Sequence, residues 1–148
     1  MKGSKDCPDH IFPNWFITFS DKTMQIFSMM APNRRTEKKP YMIEYLKKTY
    51  ELTDDMSYLE EKEIFLESTS SMVFDRVNRI VYAGISPRTN PVQLILWCRK
   101  NDYELILFET EIWPTSIAYA NNMKIPIFLA NARTVSYTHL TLPTTAYV

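Results

Sequence analysis

Apolar and polar positions alternate along this chain in two rhythms, and the order of those rhythms repeats. Residues 15–19 (WFITF) are apolar and aromatic, Ser20, Asp21 and Lys22 carry turn chemistry, and residues 24–30 are apolar again. Short aromatic and β-branched runs with turn formers between them predict a strand–turn–strand unit. Residues 30–35 (MAPNRR) read as a loop. Pro40 then fits the first turn of a helix, where its missing N–H costs nothing. Met42, Tyr45, Leu46 and Tyr50 recur at three- and four-residue spacing, which predicts a helix with Met and Tyr on its buried face.

The same order returns in residues 64–89, IFLESTSSMVFDRVNRIVYAGISPRT. Two strand-like runs, 72–74 and 80–83, flank the charged turn Asp75, Arg76, Val77 and Asn78. A loop with Pro87 and Arg88 follows, then a helix over Pro91–Lys100 with Val92, Leu96 and Arg99 at helical spacing, and a strand over Glu104–Phe108. Phe19 and Phe74 stand fifty-five positions apart, as do Ile26 and Val81, Phe27 and Tyr82, and Pro32 and Pro87. Beyond the helix the offset shortens to fifty-three, where Tyr50, Glu51 and Leu52 match Tyr103, Glu104 and Leu105. Each half therefore reads hairpin, Pro/Arg loop, helix, strand: two ββαβ units in an α/β chain. Such a unit cannot bury both strand faces and a helix face alone, so two units predict that more chain, or a partner, completes the array.

Between the units, residues 53–63 are acidic and read as a solvated loop or short helix anchored by Met56, Tyr58 and Leu59. Residues 112–123 (IWPTSIAYANNM) look irregular, and residues 125–130 look like a further strand. Residues 135–148 (VSYTHLTLPTTAYV) share nothing with the repeat and resemble a translated sequencing adapter. Scars are excluded from fold reasoning, so the domain is expected to span residues 1–134, and His139 goes with the tail.

Composition narrows the function. The 148 residues carry 17 basic and 17 acidic side chains, without the basic excess that phosphate binding uses. Nucleic acid is therefore not an expected partner. No apolar run approaches the ~20 residues of a membrane span, and MKGSKDCPDH lacks a signal-peptide core, so neither a membrane nor export is expected, and a cytoplasmic location is. Only Gly3 and Gly84 are glycine, which removes the glycine-rich phosphate loops. Cys7 and Cys98 make no disulfide framework, and with His10 and His139 as the only histidines no metal-ligand spacing exists. No cofactor and no metal are expected. Cys98, beside Trp97 in a helical pattern, reads as a packed small hydrophobe.

The carboxylate Glu67 follows an apolar run and precedes four hydroxyl residues, Ser68 to Ser71. A carboxylate held in a small-residue turn at a strand end is a common place for a working group. Most turn carboxylates are merely solvated, however, and spacing alone favours that fate for Glu67.

The stretches PDHIFPNWF, FSMMAPNRR, IFLESTSSMVFDR and YAGISPRT, in this order, resemble the arginine-deiminase-related hydrolases, including the citrulline-utilisation hydrolases. These belong to the guanidine-modifying superfamily with arginine deiminases and dimethylarginine hydrolases. The likeness runs from about Asp9 to Arg99 and fades after Phe108. It implies a pentein-like five-bladed α/β propeller, of which this chain would hold two to two and a half ββαβ blades as an N-terminal fragment. It also implies hydrolysis of C–N bonds in a small guanidino or ureido substrate, arginine or citrulline, by a cysteine nucleophile, a histidine acid/base and carboxylates.

Carried over by position, Glu67 matches the acidic residue of the family's FLEGTGSM stretch and becomes the candidate catalytic carboxylate. Asp9 matches the acidic residue ahead of the family's FPNNWF stretch and Asn14 one of its asparagines, and both become candidate substrate-binding residues. Arg34, Arg35 and Arg88 match arginines of the Pro/Arg loops and are candidate contacts for a substrate carboxylate, with ordinary loop ion pairs as the alternative. Departures follow too. The family's paired asparagines are one here, and Ser68 and Ser70 replace glycines, where a positive φ would cost serine more. Tyr119 stands at the family histidine's place and, with a pKa near 10, is a poor proton shuttle at neutral pH. Neither Cys7 nor Cys98 matches the nucleophile, expected beyond this chain. The alternatives are a non-catalytic propeller relative that binds a small molecule, and an α/β interaction module.

Overall fold

In a computed structural model, which describes Cys7, residues 11–108 and residues 114–130, each half of the repeat builds its own sheet. Strand β1 (Phe16–Thr18) pairs antiparallel with β2 (Thr23–Ile26) across the short Asp21 turn, where the Asp21 carboxylate accepts from the Thr23 N–H at 3.0 Å. The chain passes through a one-turn helix α1 (Pro32–Arg35) and helix α2 (Pro40–Lys47), then returns as β3 (Glu51–Asp55), parallel to β2. A 3-10 turn (Ser57–Lys62) and a second one-turn helix α3 (Ser68–Ser71) lead into β4 (Met72–Asp75), antiparallel to β5 (Ile80–Ala83). Helix α4 (Pro91–Lys100) carries the chain to β6 (Glu104–Phe108), parallel to β5. Helix α5 (Pro114–Asn122) crosses to β7 (Ile127–Ala130), parallel to β6. Hairpins join the antiparallel pairs and helices the parallel ones, as chain direction requires. The result is a β1-β2-β3 sheet and a β4-β5-β6-β7 sheet, each opened by ββαβ.

The two units align by backbone geometry, which corrects the fifty-five-residue match. Lys22 and Arg79 enter β2 and β5 with φ of 64° and 60°, and their carbonyls accept from Glu51 N and Glu104 N at 2.8 Å each. These two residues are equivalent and stand fifty-seven apart. The turn before β5 is one residue longer, so the Phe19/Phe74 identity is not an equivalence. Phe74 faces its own helix, whereas Phe19 lies on the opposite face of the first sheet, in the row of Ile17. The fifty-three offset beyond the helix holds, since Glu51 and Glu104 are the residues so paired.

Burial explains the layering. On one face of the first sheet, Trp15, Ile26 and Met29 pack with Met42, Ile43, Leu46 and Leu52, covering it with α2. On its other face lie Ile17 and Gln25, and there α4 covers them. Gln25 Oε1 accepts from Trp97 Nε1 at 2.7 Å and Gln25 Nε2 donates to Asn101 Oδ1 at 2.6 Å. The far side of α4 packs on the second sheet. Leu94, Ile95 and Cys98 join Val81 and Leu105 in the main core, and Phe74 meets Trp97 edge-on at 5.6 Å. The order of layers is α2, first sheet, α4, second sheet.

Several expectations change. Tyr45 is 70 % exposed, and the inward face of α2 is Met42, Ile43 and Leu46. In α4 the buried residues are Leu94, Ile95, Trp97 and Cys98, while Val92 and Arg99 point outward, because two sheets claim a broad face of this helix. Met56 and Leu59 anchor the acidic stretch as expected, but Tyr58 is exposed, with Lys62 5.5 Å from its ring. Residues 112–123, read as irregular, contain α5. Its Thr, Ser and Asn have weak helix propensity, and the need to cross between two parallel strands overrides it. Among the described residues no helix is long and apolar enough to cross a membrane.

Candidate functional site

One residue ties together the loops of the two units. Leu66 bridges Ser28 of the first unit and Thr89 of the second, and its N–H donates to Ser28 Oγ at 2.9 Å. The next residue, Glu67, is thereby drawn in between the two loops and is fully buried, which corrects the solvated-turn reading. Its N–H donates to Arg88 O and Ser71 Oγ, both at 3.2 Å. The side chain reaches back to the first unit: Oε1 accepts from Met30 N at 3.1 Å, and Oε2 accepts from Ser70 Oγ at 2.6 Å. Arg88 Nη1 lies 4.0 Å from Oε2, with the Arg88 side chain 48 % exposed. A carboxylate offers about four acceptor sites, so two remain beyond these bonds.

Helix α3 wraps this carboxylate. Asn14 O accepts from Ser68 N at 2.9 Å, and Asn14 Oδ1 accepts from Thr69 Oγ1 at 2.8 Å, which brings Asn14 to the Glu67 turn. Neither Ser68 nor Ser70 has a positive φ. Both sit in the helical turn, so the expected strain of serine for glycine does not arise. Ser68 Oγ is buried without a hydrogen-bond partner among the described residues. An unmet buried hydroxyl is costly, by about 1–3 kcal/mol. The sequence marked Ser68 only as a replacement for a family glycine and not as a site residue, and the available signal was its place directly after Glu67 in the hydroxyl run.

The other arginines are engaged within the fold. Arg34 is buried, donates to Phe12 O at 2.6 Å and pairs with Glu37 at 3.1 Å. Arg35 donates from Nε to Met29 O at 2.8 Å and from Nη2 to Met30 O at 3.0 Å, with its guanidinium 5.4 Å from the Phe65 ring. Beside it, Glu60 Oε1 accepts from Met29 N at 2.8 Å and from Lys38 Nζ at 2.5 Å. Burial, the leading cause, holds the Lys38 ammonium below its usual range despite Glu60. The Met29–Met30 backbone that meets Glu67 is thus clamped from two sides. Lys38 and Glu60 are twenty-two positions apart, and nothing in their spacing announces the pair.

Tyr119, on α5, packs against the main core. Asp9, His10, His139 and the adapter-like residues 135–148 lie outside the described residues. Cys98 is in the core, where burial pushes its thiol up to about 12, so it is no thiolate near neutral pH. Cys7 Sγ lies 3.1 Å from Thr36 Oγ1. Among the described residues no group of three or more His, Cys, Asp or Glu side chains could hold a metal ion.

The junction thus gathers a buried carboxylate, an exposed guanidinium and an unpartnered hydroxyl at the seam of two ββαβ units. A search of curated proteins and a search of solved structures found no match. The family model for N,N dimethylarginine dimethylhydrolase, eukaryotic, matches residues 1–128. The match runs through α5 and into β7, well past the Arg99 limit of the motif-based likeness. The family is one of the pentein, or amidinotransferase, superfamily, to which the arginine-deiminase-related proteins also belong. The chain belongs to the eukaryotic N,N-dimethylarginine dimethylhydrolase family.

Proposed function

We propose that this chain is the carboxylate-bearing part of a hydrolase that cleaves a C–N bond of a guanidino compound, with a methylated arginine as substrate. The family supports the substrate class. The observation that carries the reading is Glu67, fully buried at the seam, with both oxygens fixed by Met30 N and Ser70 Oγ. A guanidinium is planar and offers paired N–H donors, which a fixed carboxylate accepts in a directional way. Arg88, half exposed beside it, suits the substrate's own carboxylate. The methylated arginine replaces the arginine or citrulline expected from motifs alone, because an amine bearing two methyl groups is the group the family's name removes.

In this reading a thiolate attacks the guanidino carbon, and a histidine protonates the departing dimethylamine as its C–N bond breaks. Water then attacks the thioether-linked carbon, the C–S bond breaks, and the thiol and a ureido product are released. Neither described cysteine suits the nucleophile, and Tyr119 does not suit the histidine, so both groups come from outside the described residues. The propeller arrangement and the fragment nature of the chain belong to the same proposal.

Titration of N,N-dimethylarginine onto the chain, followed by amide NMR, tests it. Shifts at Met30, Ser68 and Arg88 are expected, weakened at least about tenfold in Glu67→Gln, which keeps the shape and removes the charge-assisted bonds. Absence of any shift, or an unaltered Glu67→Gln response, would sink the site. Turnover by this chain that disappears on replacing Cys7 or Cys98 would overturn the assignment of the nucleophile.

A further inference from the structure

The peptide group that holds Glu67 is itself held by charge. Met29 and Met30 lie beyond the end of β2, just after Ser28 has bridged to Leu66. Backbone polar groups that leave a strand need new partners. Here all four meet charged side chains. Met29 N donates to Glu60 Oε1 at 2.8 Å, and Met29 O accepts from Arg35 Nε at 2.8 Å. Met30 N donates to Glu67 Oε1 at 3.1 Å, and Met30 O accepts from Arg35 Nη2 at 3.0 Å. Helix α1 makes this possible: Arg34 N and Arg35 N both donate to Ala31 O, and that turn folds Arg35 back over the two methionines.

Met29 O and Met30 N belong to one planar peptide group. The Arg35 guanidinium stands at its carbonyl end and the Glu67 carboxylate at its N–H end, so both charges align with the peptide dipole. Hydrogen bonds linked in this way polarise one another, and they do so more strongly away from water. Glu67 is fully buried, so the protein rather than solvent must hold its charge. The Phe65 ring, two residues before Glu67, lies 5.4 Å from the Arg35 guanidinium and ties it to the same stretch. The Nε and Nη2 edge of Arg35 is thus taken by main-chain carbonyls, whereas Arg88 is half exposed. We propose that Arg35 is a positioning residue, which fixes the Glu67 carboxylate through the Met29–Met30 peptide group and does not itself meet the substrate. This rests on the reading of Glu67 as the group that grips the guanidinium.

Binding of N,N-dimethylarginine to the whole chain tests it, with Arg35→Met, Glu67→Gln and the double variant beside the wild type. Arg35→Met should weaken binding about tenfold, in line with hydrogen bonds to charged groups. In the Glu67→Gln background the same replacement should cost less than about twofold, because residues that act through one another do not add. Arg35→Lys keeps the cation without the planar fork and should lose only about threefold, again only while Glu67 is present. That variant decides the matter if Arg35→Met does not fold. Equal losses with and without Glu67 would mean that Arg35 meets the substrate directly or merely supports the fold, and would overturn the inference. Unchanged binding in both Arg35 variants would do the same, with the reading of Glu67 left standing. A wild type that does not bind would overturn the reading of Glu67 itself, and the role of Arg35 would fall with it.

Discussion

Cys98 is fully buried against the second sheet, and that burial ties one part of the stability to alkaline pH. Its thiol rises from an ordinary 9.0 to about 12 in the folded chain. A group whose folded pKa is raised contributes stability that is complete below the unfolded value and is lost as pH rises through the folded one. The window therefore opens near pH 9 and closes near pH 12. Between pH 8 and 10 the wild type should lose roughly 1 kcal/mol more than Cys98→Ala, on the order of the worth of one pKa unit. Urea titrations at the two pH values measure the difference, and parallel losses would show that the thiol titrates alike folded and unfolded. At the seam, the burial of Glu67 is tolerated because Met30 N and Ser70 Oγ donate hydrogen bonds to its carboxylate.

Among the elements, α4 has the most to hold. Its N-cap is Asn90, whose Oδ1 accepts from Gln93 N at 2.9 Å, with Pro91 behind it at the first helical position. By contrast α2 starts at Lys39 with no side-chain cap. Asn90→Ala should cost about 1 kcal/mol and lower the melting temperature by a few degrees. Thermal unfolding followed by far-ultraviolet circular dichroism reads this, and an unchanged midpoint would mean the helix is held wholly by its two sheets. The repeat is also an affair of elements more than of residues. A turn one residue longer before β5 shifts the true equivalence to fifty-seven, and the apparent Phe19/Phe74 identity dissolves once backbone carbonyls are compared.

For the whole molecule, Trp97 is the point where the units meet. It donates to Gln25 of the first sheet and packs on Phe74 and Tyr103 of the second. Trp97→Ala should cost about 3–5 kcal/mol, as large aromatic deletions in cores do. Because Trp97 serves both sheets, hydrogen exchange should accelerate together in β2 and β5. Acceleration confined to β5 would show that the units unfold independently.

The order of hairpin, helix and strand in the two ββαβ units was legible in the chain because strand and helix periods are local properties of spacing, whereas α5 was not. Pro40 and Pro91 do open their helices, and Cys98 was recognisable as core. The motif order around Glu67 points by itself to the guanidine-modifying superfamily. Which helical face turns inward was decided only by the tertiary structure, since Tyr45 and Met42 are both apolar and only the position of a sheet chooses between them. The same holds for Glu67: its spacing looks like that of any solvated turn, and its burial follows from Leu66 bridging two loops sixty-one residues apart. The clamp of Lys38, Glu60 and Arg35 on Met29 and Met30, and the unpartnered Ser68 hydroxyl, are likewise products of long-range packing. Periodicity records which neighbours a residue has along the chain, and a site is made by neighbours that only folding brings together.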